Sequence, residues 1–351
     1  MSDVKETFIR EKHSLREAMA CIERNIYKIA IIVDSDGKFI DAITDGDIRR
    51  AILSGTMLDD SIIDIKGFSD TRSRSSSVVA SSDTSPQRLL EIFALTQVRQ
   101  IPVLDEEGRV LRIELVDHET RLGDLVADAC VMAGGLGERL LPLTLETPKP
   151  MLRIGGKPLL ESTIERLRDC GIQNIWLSTN YKRQVIRNHF GDGSGLDVRI
   201  RYIEEEFPMG TAGSLSLISA DNPLLVINGD VVTRVDFVSL INHHNFVEND
   251  LTVGARVHDY TVPFGVLKLN GDRVSGVVEK PSFRNFVNAG IYVLSPETLE
   301  LIPRGVRYDM TDLIQLVISE KKSVGSFPIY EYWSDIGIME DYEKANREQA
   351  E

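Results

Sequence analysis

Residues 131–152, VMAGGLGERLLPLTLETPKPML, carry an apolar strand straight into Gly134, Gly135 and Gly137. Glycine has no Cβ, so such a loop can wrap closely around an anion and turn several N–H groups inward. Arg139 follows two residues after the last glycine, and Lys149 stands between Pro148 and Pro150, ten residues further on. Both cations fall where a polyphosphate would lie. The stretch predicts a strand that ends in a loop built to hold a nucleoside triphosphate for transfer chemistry.

Spacing separates this reading from two other glycine loops. A P-loop needs Lys-Ser or Lys-Thr after its glycines, and none follows here. A dinucleotide fingerprint needs a third glycine where Leu140 stands, and an acidic residue after a second strand. A plain glycine-rich strand-to-helix turn with surface charges is the remaining alternative. It leaves the Arg, the Lys and the Pro-Lys-Pro at fixed offsets without a reason.

Downstream, strands and helices alternate. Residues 129–133, 174–178, 198–203 and 224–228 read as strands; 158–170, 181–190 and 211–219 read as helices. Short apolar strands alternating with helices predict an α/β fold with a mostly parallel sheet covered on both faces. Ligands then bind at the carboxyl ends of the strands. The glycine loop and Asp230 both fall on that edge.

The first part of the chain is organised differently. IAIIVDSDGKFIDAITDGDIRRAI, residues 29–52, is echoed by IPVLDEEGRVLRIELVDHETRL, residues 101–122. Each copy reads as a strand, an acidic turn closed by glycine (Gly37, Gly108), a second strand and a helix. A helix-like segment precedes each copy, 14–24 with a Ser14/Glu17 capping box and 85–96 after Asp83. The polar stretch 67–77 joins the copies. Two domains are expected, 1–124 (repeats of about 1–60 and 61–124) and 128–351.

The chain has 351 residues, 42% of them hydrophobic and 27% charged, with a net charge of −14. That balance is ordinary for a globular protein and argues against a nucleic-acid partner, which would call for a basic footprint. A few local cations still suffice for a small anionic substrate. Three cysteines, Cys21, Cys130 and Cys170, have no metal-like spacing and are odd in number, which points to a reducing, cytoplasmic setting. The first residues lack a secretion-signal core, and no apolar run approaches the length of a membrane span.

GGLGERLLPLTLETPKPML resembles the signature of the sugar-1-phosphate nucleotidyltransferases. PMGTAGSL at 208–215, INGD at 227–230, FGVL at 264–267, VEKP at 278–281, NAGIYVL at 288–294 and WSDIG at 333–337 follow in that family's order. The resemblance, over about residues 128–345, implies a Rossmann-like, GT-A-like nucleotidyltransferase domain with a mixed, mostly parallel sheet. One departure is Glu138, where many relatives carry Thr. The N-terminal part resembles a tandem pair of CBS domains of α+β type, whose ligand pattern Thr44 and Asp47 match. In the second repeat, ungapped alignment puts Leu115 and His118 at those positions, and a one-residue gap puts Glu114 and Asp117 there. The hydroxyl is missing either way, so at most one ordinary nucleotide site is expected. Thr44 and Asp47 read equally well as a helix cap backed by Arg50.

Nucleotidyl transfer moves a nucleoside monophosphate onto a sugar phosphate oxygen and expels pyrophosphate. The nucleophile is already an anion, so cations and positioning are what the reaction needs. Arg139 would neutralise the β and γ phosphates and Lys149 the α-phosphate, while Lys280 would clamp the sugar phosphate. The alternative for Lys280 is a strand-end surface lysine. Asp230 and Asp335 are the candidate Mg²⁺ ligands, since Mg²⁺ takes one or two carboxylates plus phosphate oxygens. Asp335 alone could also be a helix cap. Gly134, Gly135, Gly137, Glu205, Gly210, Thr211 and Ala212 are the nucleotide-side candidates, and the resemblance carries sugar contacts onto Gly265, Glu279 and Asn288.

Glu205 is an acceptor-only side chain and guanine offers two adjacent donors, so Glu205 leans toward GTP. The alternative is that Glu204, Glu205 and Glu206 form a solvated edge strand. EEFPMGTAG looks most like the guanylyltransferases, and the CBS fusion resembles glucosamine-1-phosphate guanylyltransferases of nonulosonic acid pathways. The expectation is a Mg²⁺-dependent guanylyltransferase acting on a hexose or amino-hexose 1-phosphate. Its CBS module would take a regulatory nucleotide or build a homo-oligomer. The same chemistry with UTP, CTP or dTTP, or an inactive nucleotide-sensing subunit, are the alternatives.

Overall fold

A computed structural model describes residues 4–62, 77–85, 87–89, 92, 98–115, 127–205 and 207–348. The chain divides into two compact units, Met1–Arg121 and Leu122–Glu351.

In the first unit, strands β1 (Phe8–Ile9), β2 (Ile29–Val33) and β3 (Phe39–Thr44) form one small sheet. Strands β4 (Ala80–Ser81), β5 (Gln100–Leu104) and β6 (Val110–Leu115) form another. Each has a parallel pair followed by an antiparallel hairpin, so the sequence repeat is a repeat of structure. The hairpins turn on Gly37 and Gly108, both left-handed, where a Cβ would be strained. Ile29, Ile31 and Val33 bury against Ile113 of the other repeat, and the Phe39 N–H donates to Gly108 O at 2.8 Å. Helix Leu15–Arg24 starts at Ser14 with the expected capping box to Glu17. The expected helix 85–96, the joining loop 67–77 and the second-repeat positions Asp117 and His118 lie wholly or mostly outside the described residues.

The second unit is built on a seven-stranded sheet. Its strands are β7 (Asp128–Met132), β10 (Asn174–Thr179), β11 (Arg199–Glu204), β12 (Leu224–Asn228), β14 (Leu251–Thr261), β17 (Ser282–Leu294) and β18 (Val324–Ile329). The order across the sheet is β11-β10-β7-β12-β17-β14-β18. The first four are parallel, β17 runs against both its neighbours, and β14 and β18 are parallel. The sheet is therefore mixed and mostly parallel. Short pairs lie outside it: β8 (Arg153–Ile154) with β9 (Lys157–Pro158), β13 (Val231–Thr233) with β19 (Trp333–Asp335), and β15 (Val266–Asn270) with β16 (Arg273–Val278).

The central strands are apolar on both faces because helices cover both. Ala129, Val131, Leu225 and Ile227 face one core with Leu160, Ile164 and Phe237. Cys130, Leu224 and Val226 face the other with Leu215, Met310 and Leu313. Burying such apolar side chains, at roughly 1.5–3 kcal/mol each, stabilises the sheet from which the strand ends project. One expected helix is much shorter than its sequence pattern. Residues 211–219 give one α turn, Gly210–Gly213, and then a 3-10 turn, Ser214–Leu217.

Candidate active site

Strands β7 and β12 lie side by side and end together, at Met132 and Asn228. The Gly229 N–H donates to Met132 O at 2.9 Å, and a Cβ on Gly229 would stand 2.5 Å from that oxygen. Glycine there lets the chain leading to Asp230 pass against the root of the glycine loop. Gly137 is left-handed, with φ 67°, and a Cβ on it would meet Thr144 Cγ2 at 2.8 Å and Lys149 Cβ at 3.1 Å. The Thr144 hydroxyl donates to Gly137 O at 2.9 Å. The loop is thus folded down onto the turn that carries Lys149.

Lys149 is only 8% exposed. Its Nζ donates to Asp230 Oδ2 at 2.6 Å. Asp335 ends β19, opposite Val231 in β13, and the Ile336 N–H donates to Asp230 O at 3.0 Å. This two-strand ladder sets the two candidate metal carboxylates side by side. Arg139 reaches the same place: a Cβ on Gly337 would stand 3.7 Å from both terminal nitrogens of Arg139 and from Asp335 Oδ2. Asp335 keeps an exposed edge. Enclosure of its carboxyl, then the negative charge of Asp230, push it up to about 6, while Lys149 and Arg139 pull it down. Two crowded carboxylates of this kind suit a hard divalent cation that also takes phosphate oxygens. Among the described residues no group of three or more His, Cys, Asp or Glu is placed to hold a metal. The structure thus brings together Arg139, Lys149, Asp230 and Asp335.

Glu205 is buried, which overturns the picture of a solvated acidic edge. Glu204 faces out to Arg187 at 2.8 Å, Glu205 turns inward, and Glu206 lies outside the described residues. Glu205 Oε1 accepts from the Ser178 hydroxyl at 2.6 Å, and Oε2 accepts from the Met209 N–H at 3.0 Å. A Cβ on Gly134 would stand 3.1 Å from Glu205 Oε1. The carboxylate therefore joins the end of β10, the glycine loop and the Pro208–Leu215 segment.

Gly210, Thr211 and Ala212 are engaged with another part of the chain. Gly210 is left-handed and packs on Asp309 and Tyr308. The Thr211 N–H donates to Asp309 Oδ1 at 3.1 Å, the Thr211 hydroxyl accepts from Met310 N at 2.8 Å, and the Ala212 N–H donates to Tyr308 O at 3.0 Å. In this structure they fasten the start of helix Met310–Ser319.

The sugar-side candidates lie on β17 and the hairpin before it. Asn288 Oδ1 accepts from the Gly290 N–H at 3.0 Å. Glu279 lies beside Gly265, where a Cβ would meet its Oε2 at 2.9 Å. Lys280 is exposed and left-handed at φ 43°. Among the described residues no ion pair or hydrogen bond links it to Lys149 or Asp230. In the first unit, Thr44 N and Oγ1 both donate to Asp47 Oδ2, at 2.8 and 2.6 Å, and Asp47 also pairs with Arg50. That is the capping arrangement.

The sequence profile of the nucleotidyl transferase family matches residues 128–351, nearly two thirds of the chain. The chain belongs to that family. The CBS domain profile matches residues 1–54. The chain is 35% identical over 224 residues to a mannose-1-phosphate guanylyltransferase of Mycobacterium tuberculosis, covering 61% of this chain and 62% of that protein. The chain thus spans about 62% of the length of such a curated relative. Among solved structures, HddC from Yersinia pseudotuberculosis complexed with GMP-PN is 31% identical with a TM-score of 0.50, covering 63% of this chain and 98% of that one. A putative glucose-1-phosphate thymidylyltransferase from Bacillus anthracis shares the fold, with TM-score 0.52 and 22% identity over 64% of this chain and 95% of that one.

Within the nucleotidyltransferase fold, sequence reading passed over the residues that hold the site's parts. Ser178, Asn228, Gly229, Gly290 and Gly337 each touch a candidate residue or the segment that carries it. Asn228, Gly229, Gly290 and Gly337 stand inside the quoted motifs INGD, NAGIYVL and WSDIG, so a signal for them was present.

Proposed function

We propose that this protein is a Mg²⁺-dependent sugar-1-phosphate guanylyltransferase. A sugar phosphate oxygen attacks the α-phosphorus of GTP, the bond to the β-phosphate oxygen breaks, and pyrophosphate leaves with both electrons of that bond. No proton has to be removed from the nucleophile. The observation that carries the reading is the cluster of Arg139, Lys149, Asp230 and Asp335 at the carboxyl ends of β7 and β12, beside the glycine loop.

Each residue has a stated part. The N–H groups of Gly134, Gly135 and Gly137 cradle phosphates, Arg139 neutralises the leaving pyrophosphate, and Lys149 stabilises charge growing on the α-phosphate. Asp230 and Asp335 would hold Mg²⁺, which would supply charge neutralisation for the phosphates. Lys280 clamps the sugar phosphate; Gly265, Glu279 and Asn288 line the sugar. Glu205 keeps free lone pairs beyond its bonds to Ser178 and Met209, and these accept from guanine. Gly210, Thr211 and Ala212 shape the base side through their attachment to residues 308–310.

The choice of GTP is supported by the names of the relatives and by Glu205. Their names also point to mannose 1-phosphate, whereas the CBS fusion points to glucosamine 1-phosphate. The CBS module binds at most one regulatory nucleotide, at Thr44 and Asp47. The decisive experiment is a pyrophosphate-release screen of the full chain with four NTPs against mannose, glucosamine and glucose 1-phosphates. GTP with one hexose 1-phosphate should dominate. Release with another NTP only would replace the base assignment, and no release with any pair would end the enzyme reading.

A further inference from the structure

Lys149 and Asp230 already satisfy one another. Their 2.6 Å contact is a charge-assisted hydrogen bond made by a lysine with an 8% exposed surface. The lysine is held by its own turn, Lys149–Met151 behind Pro148, and by the close approach of Gly137 to its Cβ. Arg139 and Asp335 converge over Gly337 beside it. The ligand-free site is therefore a self-neutralised set of two acids and two bases.

We infer that Lys149 is a placeholder at the metal site, so that cation and triphosphate can enter only together. The inference rests on the reading of Asp230 as a metal ligand. A divalent cation arriving alone competes with Lys149 for Asp230 and sets its charge beside that buried ammonium, an outcome that enclosed charges strongly resist. A triphosphate arriving alone has to take Lys149 and leave two carboxylates facing its phosphates. Arriving as a pair, the cation replaces Lys149 on Asp230 and the α-phosphate replaces Asp230 on Lys149. Every charge keeps a partner. Linkage then requires that GTP tighten the cation and the cation tighten GTP by the same factor.

The test is binding, without turnover. Full-length protein is titrated with Mn²⁺ with and without a non-hydrolysable GTP analogue, and binding is counted as the loss of the free-Mn²⁺ EPR signal beyond that in the same titration of the analogue without protein. Wild type should bind Mn²⁺ weakly alone and much more tightly with the analogue. Lys149→Met, similar in length and uncharged, should bind Mn²⁺ alone on the order of tenfold more tightly than wild type, the factor each 1.4 kcal/mol of relieved competition gives. Lys149→Arg should stay weak, and Asp230→Asn should lose the site. Equal or weaker binding by folded Lys149→Met overturns the inference. So does wild type that binds Mn²⁺ equally well with and without the analogue, a result that needs no variant to fold. Because the Mn²⁺-alone arm contains no nucleotide, it stands apart from the pyrophosphate-release screen, and either can fail without the other.

Discussion

Asn228 packs against Gly290 so closely that a Cβ on the glycine would stand 2.6 Å from Asn228 Nδ2. The contact joins the strand that leads to Asp230 with the strand that carries Asn288, and so ties the proposed metal side of the site to the sugar side. Gly290 is also left-handed, with φ 69°. Gly290→Ala should therefore cost about 1–3 kcal/mol of stability from backbone strain, with the clash added. Adding Asn228→Ala should return the part due to the clash. Urea denaturation of the two variants checks this, and a Gly290→Ala protein as stable as wild type would dismiss the packing argument.

The metal assignment predicts a sharp loss on removing one charge. EDTA should abolish pyrophosphate release and Mg²⁺ should restore it. Asp230→Asn should fold, because the amide oxygen can still accept from Lys149, yet turnover should fall by roughly 100-fold or more. Near-normal turnover of Asp230→Asn at saturating Mg²⁺ would take Asp230 out of the site.

The crowding of Asp335 predicts a pH dependence. Its carboxyl sits at about 6 in the ligand-free fold, above the ordinary aspartate value near 3.9. Between those values the folded protein holds a proton that the unfolded chain has released. This group's contribution to ligand-free stability is fully present below the ordinary value and is lost as pH rises through about 6. Metal binding runs the opposite way, since protons compete for the ligand. The apparent affinity for Mg²⁺ should weaken as pH falls below about 6. A Mg²⁺ affinity flat from pH 7.5 to roughly 5 would contradict the assignment.

Two substitutions separate the two roles of Glu205. Glu205→Gln can still accept from Met209 N–H with its oxygen and donate to the Ser178 hydroxyl with its amide, so the joint between β10 and the Pro208–Leu215 segment survives. What changes is the face offered to a base. GTP should lose part of its lead over the other NTPs, by an amount worth roughly 1–3 kcal/mol if one bidentate contact is at stake. Glu205→Ala should reduce thermal stability as well. If Glu205→Gln leaves nucleotide preference untouched while Glu205→Ala destabilises, the carboxylate only joins the segments.

For the CBS module, calorimetry with adenine and guanine nucleotides should find about one site per chain, since only the first repeat has both Thr44 and Asp47 in the expected pattern. Asp47→Ala should weaken that binding. It should also cost about 1 kcal/mol from the lost cap. Destabilisation with unchanged nucleotide binding would leave Asp47 as a cap alone.

Much of the sheet was legible because buried parallel strands need runs such as LLVIN, and loops near phosphates need glycine. Residues 224–228 came out with the same bounds, 129–133 and 198–203 each moved by one residue to 128–132 and 199–204, and 174–178 gained one residue at its end. Arg139, Lys149, Asp230 and Asp335 were singled out through the family resemblance, and the structure places them close together. The helix expected over 211–219 failed for a tertiary reason. The amides of Thr211, Ala212 and Gly213 are drawn to Tyr308 and Asp309, far away in sequence, and no local pattern records that. The inward turn of Glu205 was hidden likewise. Three consecutive glutamates look like surface until Ser178 and Met209 are seen to satisfy the middle one.

The ladder between Val231–Thr233 and Trp333–Asp335 also bears on how the protein is made. Translation delivers the glycine loop, Lys149 and Asp230 well before Asp335. A nascent chain that has not yet reached β19 contains β7, β10, β11 and β12 but only one of the two acids. Without the second, it has little hold on a cation. On this arrangement the proposed metal pair is complete only once Asp335 has been made, and a chain stopped before it would carry the glycine loop, Lys149 and Asp230 without the second acid.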